Sequence, residues 1–251
     1  MAQPSVLLST PEPVGDKPTY SLLVAQDGDD VLAAQRLRHQ VFAGEMGAVL
    51  PSSATGLDID PFDEICDHLL VRDDSSGEIV GTYRVLPAAR AARYYSETEF
   101  DLGALAPLRS SLAETGRSCV HPDHRSGAVI GLVWAGLARY MLLTGHTWLG
   151  GCASVSLADG GAEAAGVWDR VRDKHYAPEE YRVRPLNPWF RDETAPPARP
   201  ELPPLLRAYL RIGAWVCGPP AHDPDFGVAD FYVLLSMRRI DQRYTRFFLG
   251  G

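Results

Sequence analysis

ETGRSCVHPDHRSGAVIGLVWAGLARYMLLTGHTWLGGCASVSL, residues 114–157, is the stretch on which the fold of this chain turns. Ser118-Cys119-Val120 is a short extended run. His121-Pro122 closes it, because proline lacks an N–H and biases the residue before it away from the helical region. A polar turn follows, Asp123-His124-Arg125-Ser126-Gly127. Val129, Leu132, Val133, Gly136, Leu137, Tyr140 and Met141 then recur at three-four spacing, which predicts a helix. Gly145 stands where a C-terminal cap belongs, and Trp148 to Leu157 reads as a buried strand. The order is strand, turn, helix, strand. A helix start offers N–H groups without intrahelical partners and a partial positive charge, which suits a phosphate. Gly127 would let the backbone approach closely, and Arg125 would add a charge-assisted contact. The same residues also suit a plain helix cap, and the local pattern does not separate the two.

The bulk numbers bound the function. The chain has 251 residues, 45% hydrophobic and 22% charged, the balance of an ordinary globular protein. A net charge of -8 and a pI near 5.3 argue against a general nucleic-acid binder. An acidic partner would need a local basic patch, for which Arg36, Arg38, Arg90, Arg93 and Arg125 are candidates. Cys66, Cys119, Cys152 and Cys217 are widely spaced and read as reduced core thiols, which fits the cytoplasm. The N-terminus has no signal-peptide pattern. The most apolar run, Ile130 to Leu143, carries Arg139 and is not expected to span a membrane, although peripheral contact with the inner membrane stays open.

Residues 1–18 are Pro- and Ser-rich and predicted to be a disordered tail. Tyr20 to Ala25 reads as a strand, and Asp29-Asp30 as the cap of a helix from Val31 to about Met46. His68 to Asp73 and Glu78 to Leu86 flank Asp74-Ser75-Ser76-Gly77 as a hairpin. Helices are expected over Gly161 to Lys174 and Leu205 to Trp215, and strands over Tyr181 to Arg184 and Phe231 to Met237. The Pro-rich excursion up to Pro204 is a candidate partner or membrane contact. A hairpin, a crossover helix between strands and a late strand predict an α/β fold on a central mixed sheet.

Three constellations bear on chemistry. His121, Asp123 and His124 lie across a turn with no third ligand at zinc spacing, so no metal is expected. Cys119 shares a strand face with Arg117 and His121, which allows a thiolate, yet core packing is the simpler reading. The acidic loop Asp58 to Asp63 and the pair Glu114/Arg117 remain.

Here the residues resemble known families. Arg38-His39-Gln40-Val41-Phe42, Asp60-Pro61-Phe62-Asp63, Arg84, Phe100 and Glu114-Thr115-Gly116-Arg117 are similar, in order, to the signature of acyl-homoserine-lactone synthases. The tryptophan those enzymes carry after the phenylalanine is absent; Gly44-Glu45-Met46-Gly47 stands there and speaks against a homoserine-lactone product. The ornithine N-acyltransferase (hemolysin-like) family is a closer match. Its likeness runs through Glu45-Met46-Gly47-Ala48, Gly116 to Pro122, Arg125, Gly127 to Ile130, Trp134, Gly151 to Ser154, Leu202 to Leu205 and Asp223 to Phe226.

That resemblance implies a single GNAT-like domain over 19–251 with a C-terminal extension. It also implies transfer of a (3-hydroxy)fatty acyl group from acyl carrier protein to the α-amine of ornithine or a similar amino acid, with no cofactor beyond the thioester donor. Carried over position by position, Glu114 would be the general base and Arg117 its orienting partner or the holder of an acceptor carboxylate. Arg38, Phe42, Asp60, Asp63, Arg84 and Phe100 would bind substrate. Asp60 and Asp63 would hold a cationic acceptor or fold the loop. Cys119, Val120, His121, Arg125, Ser126, Gly127 and Ala128 would receive the thioester and the pantetheine phosphate. An acetyl-CoA-dependent N-acetyltransferase and a non-catalytic binding module are the alternatives on the same fold.

Overall fold

Asp27 opens the first helix: its side chain accepts from the backbone N–H of Asp30, so the cap sits two residues before the expected Asp29-Asp30. The computed structural model describes residues 6–10, 18–125, 127–191 and 201–240. The elements are β1 (Val6–Ser9), β2 (Tyr20–Val24), α1 (Gly28–His39), β3 (Asp67–Asp73), β4 (Ile79–Leu86), β5 (Phe100–Asp101), β6 (Leu112–Val120), α2 (Gly127–Thr144), β7 (Trp148–Ser156), α3 (Ala162–Lys174), β8 (Arg184–Pro185), α4 (Pro204–Arg211), β9 (Trp215–Val216), β10 (Ala221–Asp223) and β11 (Val228–Ser236). They form two compact units, and β6 contributes residues to both.

Among the described residues, the first unit comprises 6–10, 18–90, 115–125 and 127–145. Its strands run β1-β2-β3-β4-β6, with β1/β2, β2/β3 and β3/β4 antiparallel. Neighbouring residues on a strand face opposite sides. Leu22 and Val71 therefore lie under Gly136 and Val129 of α2, while Leu23 and Leu70 pack on Ala34 of α1. The two helices thus cover opposite faces. Gly136 is required where it stands, since a Cβ there would run into the Leu22 side chain. After His39 the helix loosens into one π-helical stretch, Gln40–Glu45, and Gly47 (φ 74°) turns the chain. α2 has 18 residues and a mean hydropathy of 1.5, enough by length and composition to cross a membrane. Its apolar stripe, Val129 through Met141, is buried.

Among the described residues, the second unit comprises 91–114, 146–191 and 201–240. β7 and β11 pair antiparallel over nine residues, from Val228↔Ser156 to Ser236↔Trp148. The parallel register of β6 with β7 is Leu112↔Trp148, Ala113↔Leu149 and Glu114↔Gly150. β10 and β9 both pair antiparallel with β11. β5 and β8 form a separate two-stranded ribbon. The fold is the expected α/β arrangement on a mixed sheet flanked by helices.

Several expectations need correction. Part of the supposedly disordered tail, Val6–Ser9, is a strand on β2; its alternation is too short to stand out among prolines and serines. β6 starts at Leu112, six residues before the extended run read from sequence. Trp215 lies in β9 rather than in a helix, because α4 ends at Arg211 and Gly213 (φ 101°) redirects the chain. Tyr181 ends a 3-10 turn, and only Arg184–Pro185 is extended. The tail segments 1–5 and 11–17, the excursion 192–200 and the extension from 241 onward lie outside the described residues.

Candidate active site

The first unit buries a balanced set of charges. Arg38 comes from the last turn of α1, Arg84 from β4 and Arg117 from β6, while Asp58, Asp60 and Asp63 come from the loop before β3. The Asp-Pro-Phe-Asp sequence shapes that loop. Asp60 accepts from the Phe62 N–H at 2.7 Å and Asp63 accepts from the Asp60 N–H at 3.2 Å, a reciprocal cap on the turn Pro61–Ile65. Arg38 is 0% exposed and donates two bonds to the Asp63 carboxylate, at 2.9 and 2.7 Å, and one to Asp58 at 2.8 Å. Arg84 reaches Asp63 at 3.0 Å and Asp60 at 3.1 Å. Arg117 reaches Asp60 at 3.0 Å and Asp58 at 3.4 Å.

Three guanidinium groups thus meet three carboxylates. Burial alone would raise the Asp63 pKa, but the Arg38 hydrogen bonds and charge, with Arg84 and Gln35, hold it well below the ordinary value. Burial lowers the pKa of His68, which donates from Nε2 to the Asp63 carbonyl at 3.0 Å. Arg38 therefore leaves the set of surface cations expected to meet an acidic partner. Arg36 and Arg93 are exposed, and Arg90 pairs with Asp67.

β6 carries a local distortion. Arg117 has φ 54°, the one left-handed non-glycine among the described residues. Such a conformation costs about 1–2 kcal/mol, and the ion pairs to Asp58 and Asp60 hold it in place. Beyond it Cys119 is buried, and burial pushes its thiol up to about 12, so it is a neutral packing group at pH 7. The His121 N–H donates to the Val80 carbonyl at 2.8 Å, within the sheet. The His121 ring meets the Gln40 amide at 2.9 Å, and the Val120 carbonyl accepts from Arg125 Nε at 3.2 Å. Arg125 grips Glu45 with both terminal nitrogens, at 2.6 and 2.5 Å. Gly127 and Ala128 open α2 exposed to solvent. Ser126 lies outside the described residues.

In the second unit, Glu114 is buried and both its oxygens are engaged. The N–H groups of Tyr95 and Ser96 donate to them at 2.7 and 2.9 Å, so the carboxylate caps the 3-10 turn Tyr95–Thr98. Phe100 is buried against Tyr232 with ring centroids 5.9 Å apart. One group escaped sequence reasoning: Glu99, Asp223 and Asp230 have carboxylate oxygens within 4.8 Å of one another. Ser154 donates to Asp230 at 2.6 Å. Burial, then Asp230 and Asp223, pushes the Glu99 carboxyl up to about 9, so it holds a proton at neutral pH. Among the described residues this is the group whose atoms could converge on a metal; Asp223 lay in a family-like motif, but nothing in the sequence brought it together with Glu99 and Asp230.

The sequence-predicted residues thus sort cleanly. Arg38, Asp60, Asp63, Arg84 and Arg117 come together, with Phe42 buried one turn beyond Arg38. Val120, His121 and Arg125 gather around Gln40 and Glu45. Glu114 and Phe100 belong to the second unit. Gln35, Asp58 and His68 were missing from the site set; their roles depend on burial, which a polar letter in a sequence does not disclose.

Residues 37–135 match the acetyltransferase (GNAT) domain model. The fold resembles the acyl-homoserine lactone synthase LasI (TM-score 0.54, 14% identity, 94% of this chain and 97% of that one). It also resembles FeeM, an N-acyl amino acid synthase from uncultured soil microbes (TM-score 0.54, 11% identity, 89% and 93%). At sequence level, the L-ornithine N(alpha)-acyltransferase of Rhodobacter capsulatus is 34% identical over 250 residues, covering 92% of this chain and 95% of that protein. Its counterpart from Rhizobium meliloti is 35% identical over 247 residues, covering 90% and 82%. With a third of its residues shared along nearly its whole length, this chain belongs to the L-ornithine N(alpha)-acyltransferase family and is an acyltransferase.

Proposed function

We propose that this protein moves a fatty acyl group, 3-hydroxylated or not, from acyl carrier protein to the α-amine of ornithine, forming a lyso-ornithine lipid in the cytoplasm. The likeness to two ornithine acyltransferases along nearly the full chain is the observation that carries this reading. The neutral α-amine attacks the thioester carbonyl; a C–N bond forms, the C–S bond breaks, and the carrier thiol leaves with a proton. Glu114 receives the proton released by the amine, directly or through water, its orientation fixed by the Tyr95 and Ser96 amides.

Arg117 receives the acceptor carboxylate, a role suited to a planar fork already held on one side by Asp58 and Asp60. Asp60 and Asp63 position Arg84 and Arg117, and with Arg38 they make a frame rigid enough to fix a small acceptor. Phe42 and Phe100 give the acyl chain apolar surface. N–H groups along Cys119–Val120 steady the developing oxyanion, and Arg125 with the start of α2 at Ser126, Gly127 and Ala128 receives the pantetheine phosphate. Exposed Arg36 and Arg93 are the remaining candidates for meeting an acidic carrier.

The test is acyl transfer by purified protein from long-chain acyl carrier protein and, separately, acetyl-CoA, against a panel of amino acids, with products read by mass spectrometry. A long-chain N-acylornithine formed from the carrier thioester is expected. Glu114→Ala is expected to lower the rate about 10²–10⁴-fold, with folding checked by circular dichroism. Transfer from acetyl-CoA alone would overturn the lipid reading.

A further inference from the structure

Arg125 is the cation at the turn between β6 and α2, and its guanidinium is already engaged. Both terminal nitrogens bind the Glu45 carboxylate, at 2.6 and 2.5 Å, and Nε binds the Val120 carbonyl at 3.2 Å. The pair is about 40% exposed on each side, open to an incoming ligand. Glu45 hangs from the end of the π-helical stretch Gln40–Glu45, whose first residue contacts His121 on the other flank of the same turn. The Arg125 hydrogen bond keeps the Glu45 carboxyl below its usual range, so it is charged at pH 7.

A phosphate arriving at Arg125 must therefore displace Glu45 or share the guanidinium with it. We propose that Glu45 is a specificity residue that sets donor choice by phosphate charge. A carrier-borne pantetheine arm brings one phosphodiester, with a single negative charge, which the guanidinium can accept by releasing Glu45. Coenzyme A brings a diphosphate and a further phosphate, whose added charge meets the Glu45 carboxylate as repulsion. This inference rests on the donor site proposed above.

The experiment uses one acyl chain on three small donors: S-acyl-pantetheine, S-acyl-4′-phosphopantetheine and acyl-CoA, with ornithine fixed and acyl carrier protein run beside them. Glu45→Gln is expected to leave KM for the phosphate-free donor unchanged, to lower it a few-fold for one phosphate, and to lower it about tenfold for acyl-CoA at low salt. High salt should shrink the difference. Glu45→Asp, which keeps the charge, should keep the wild-type ranking, and Glu45→Ser serves if the glutamine variant does not fold. An equal change for all three donors, or none, with carrier-dependent activity intact, would overturn the assignment and leave the proposed function standing. Failure of the wild-type protein with every donor, the carrier thioester included, would overturn both.

Discussion

The two compact units solve the burial of carboxylates in opposite ways. In the first, Asp58, Asp60 and Asp63 meet Arg38, Arg84 and Arg117 one for one, and all six are largely buried. In the second, Glu99, Asp223 and Asp230 face one another, with Ser154 and Cys152 as neutral neighbours. Paired charges stay ionised when buried; like charges relieve themselves by keeping a proton. Glu99 Oε1 is consistent with that. It is buried without a hydrogen-bond partner, as a protonated oxygen beside like charges would be. The first cluster is a rigid frame. The second is a cluster of like charges in which Glu99 is pushed towards its neutral form.

The difference can be broken from either side. The largest effect is expected from Asp63→Ala, which leaves Arg38 and Arg84 buried without their shared carboxylate and should cost about 3–5 kcal/mol in urea melts. The wild-type frame should also fail in acid. Because the folded pKa of Asp63 is depressed, its contribution is present above the ordinary value of 3.8 and is lost as pH falls below it. A loss under 1 kcal/mol would mean that the three-to-three balance is not what holds the loop.

Glu99 has the opposite sign. Its folded value of about 9 lies above the ordinary 4.5, so between those values the native state holds a proton that the unfolded chain does not. Stability should therefore fall as pH rises through that window, by at most about 1.4 kcal/mol per pH unit. Glu99→Gln should flatten that slope, and an unchanged slope would remove the proton from Glu99. The smallest effect sharpens the contrast. Arg184–Asp101 is an exposed pair at 3.3 Å, and Arg184→Ala should leave Tm within about 1–2 °C.

Much of the first unit was legible because its signals are local. The hairpin turn Asp74–Gly77, the stripe on α2 and the Gly145 cap depend on residues within one or two turns of each other, and each appears where expected. The Asp-Pro-Phe-Asp turn is local in the same sense. The second unit was harder to read. β5, β8 and β9 are two residues long, too short for any period to show, and they exist because partners distant in sequence meet them: β5 and β8 pair with each other, and β9 pairs with β11.

By itself, then, the sequence determined the strand–turn–helix–strand order around β6, the α/β class and the family, all of which rest on short-range patterns and long matching runs. Tertiary structure decided the electrostatics. Arg38 looked like a surface cation until burial made it the centre of a frame, and Arg117 acquired φ 54° from ion pairs with residues some 57 positions earlier. Glu99 and Asp230 became a proton-holding pair although 131 residues separate them in the chain (230 minus 99). The physical reason is common to all three: a charge's behaviour depends on its distance to other charges and to water, and only the folded chain sets those distances.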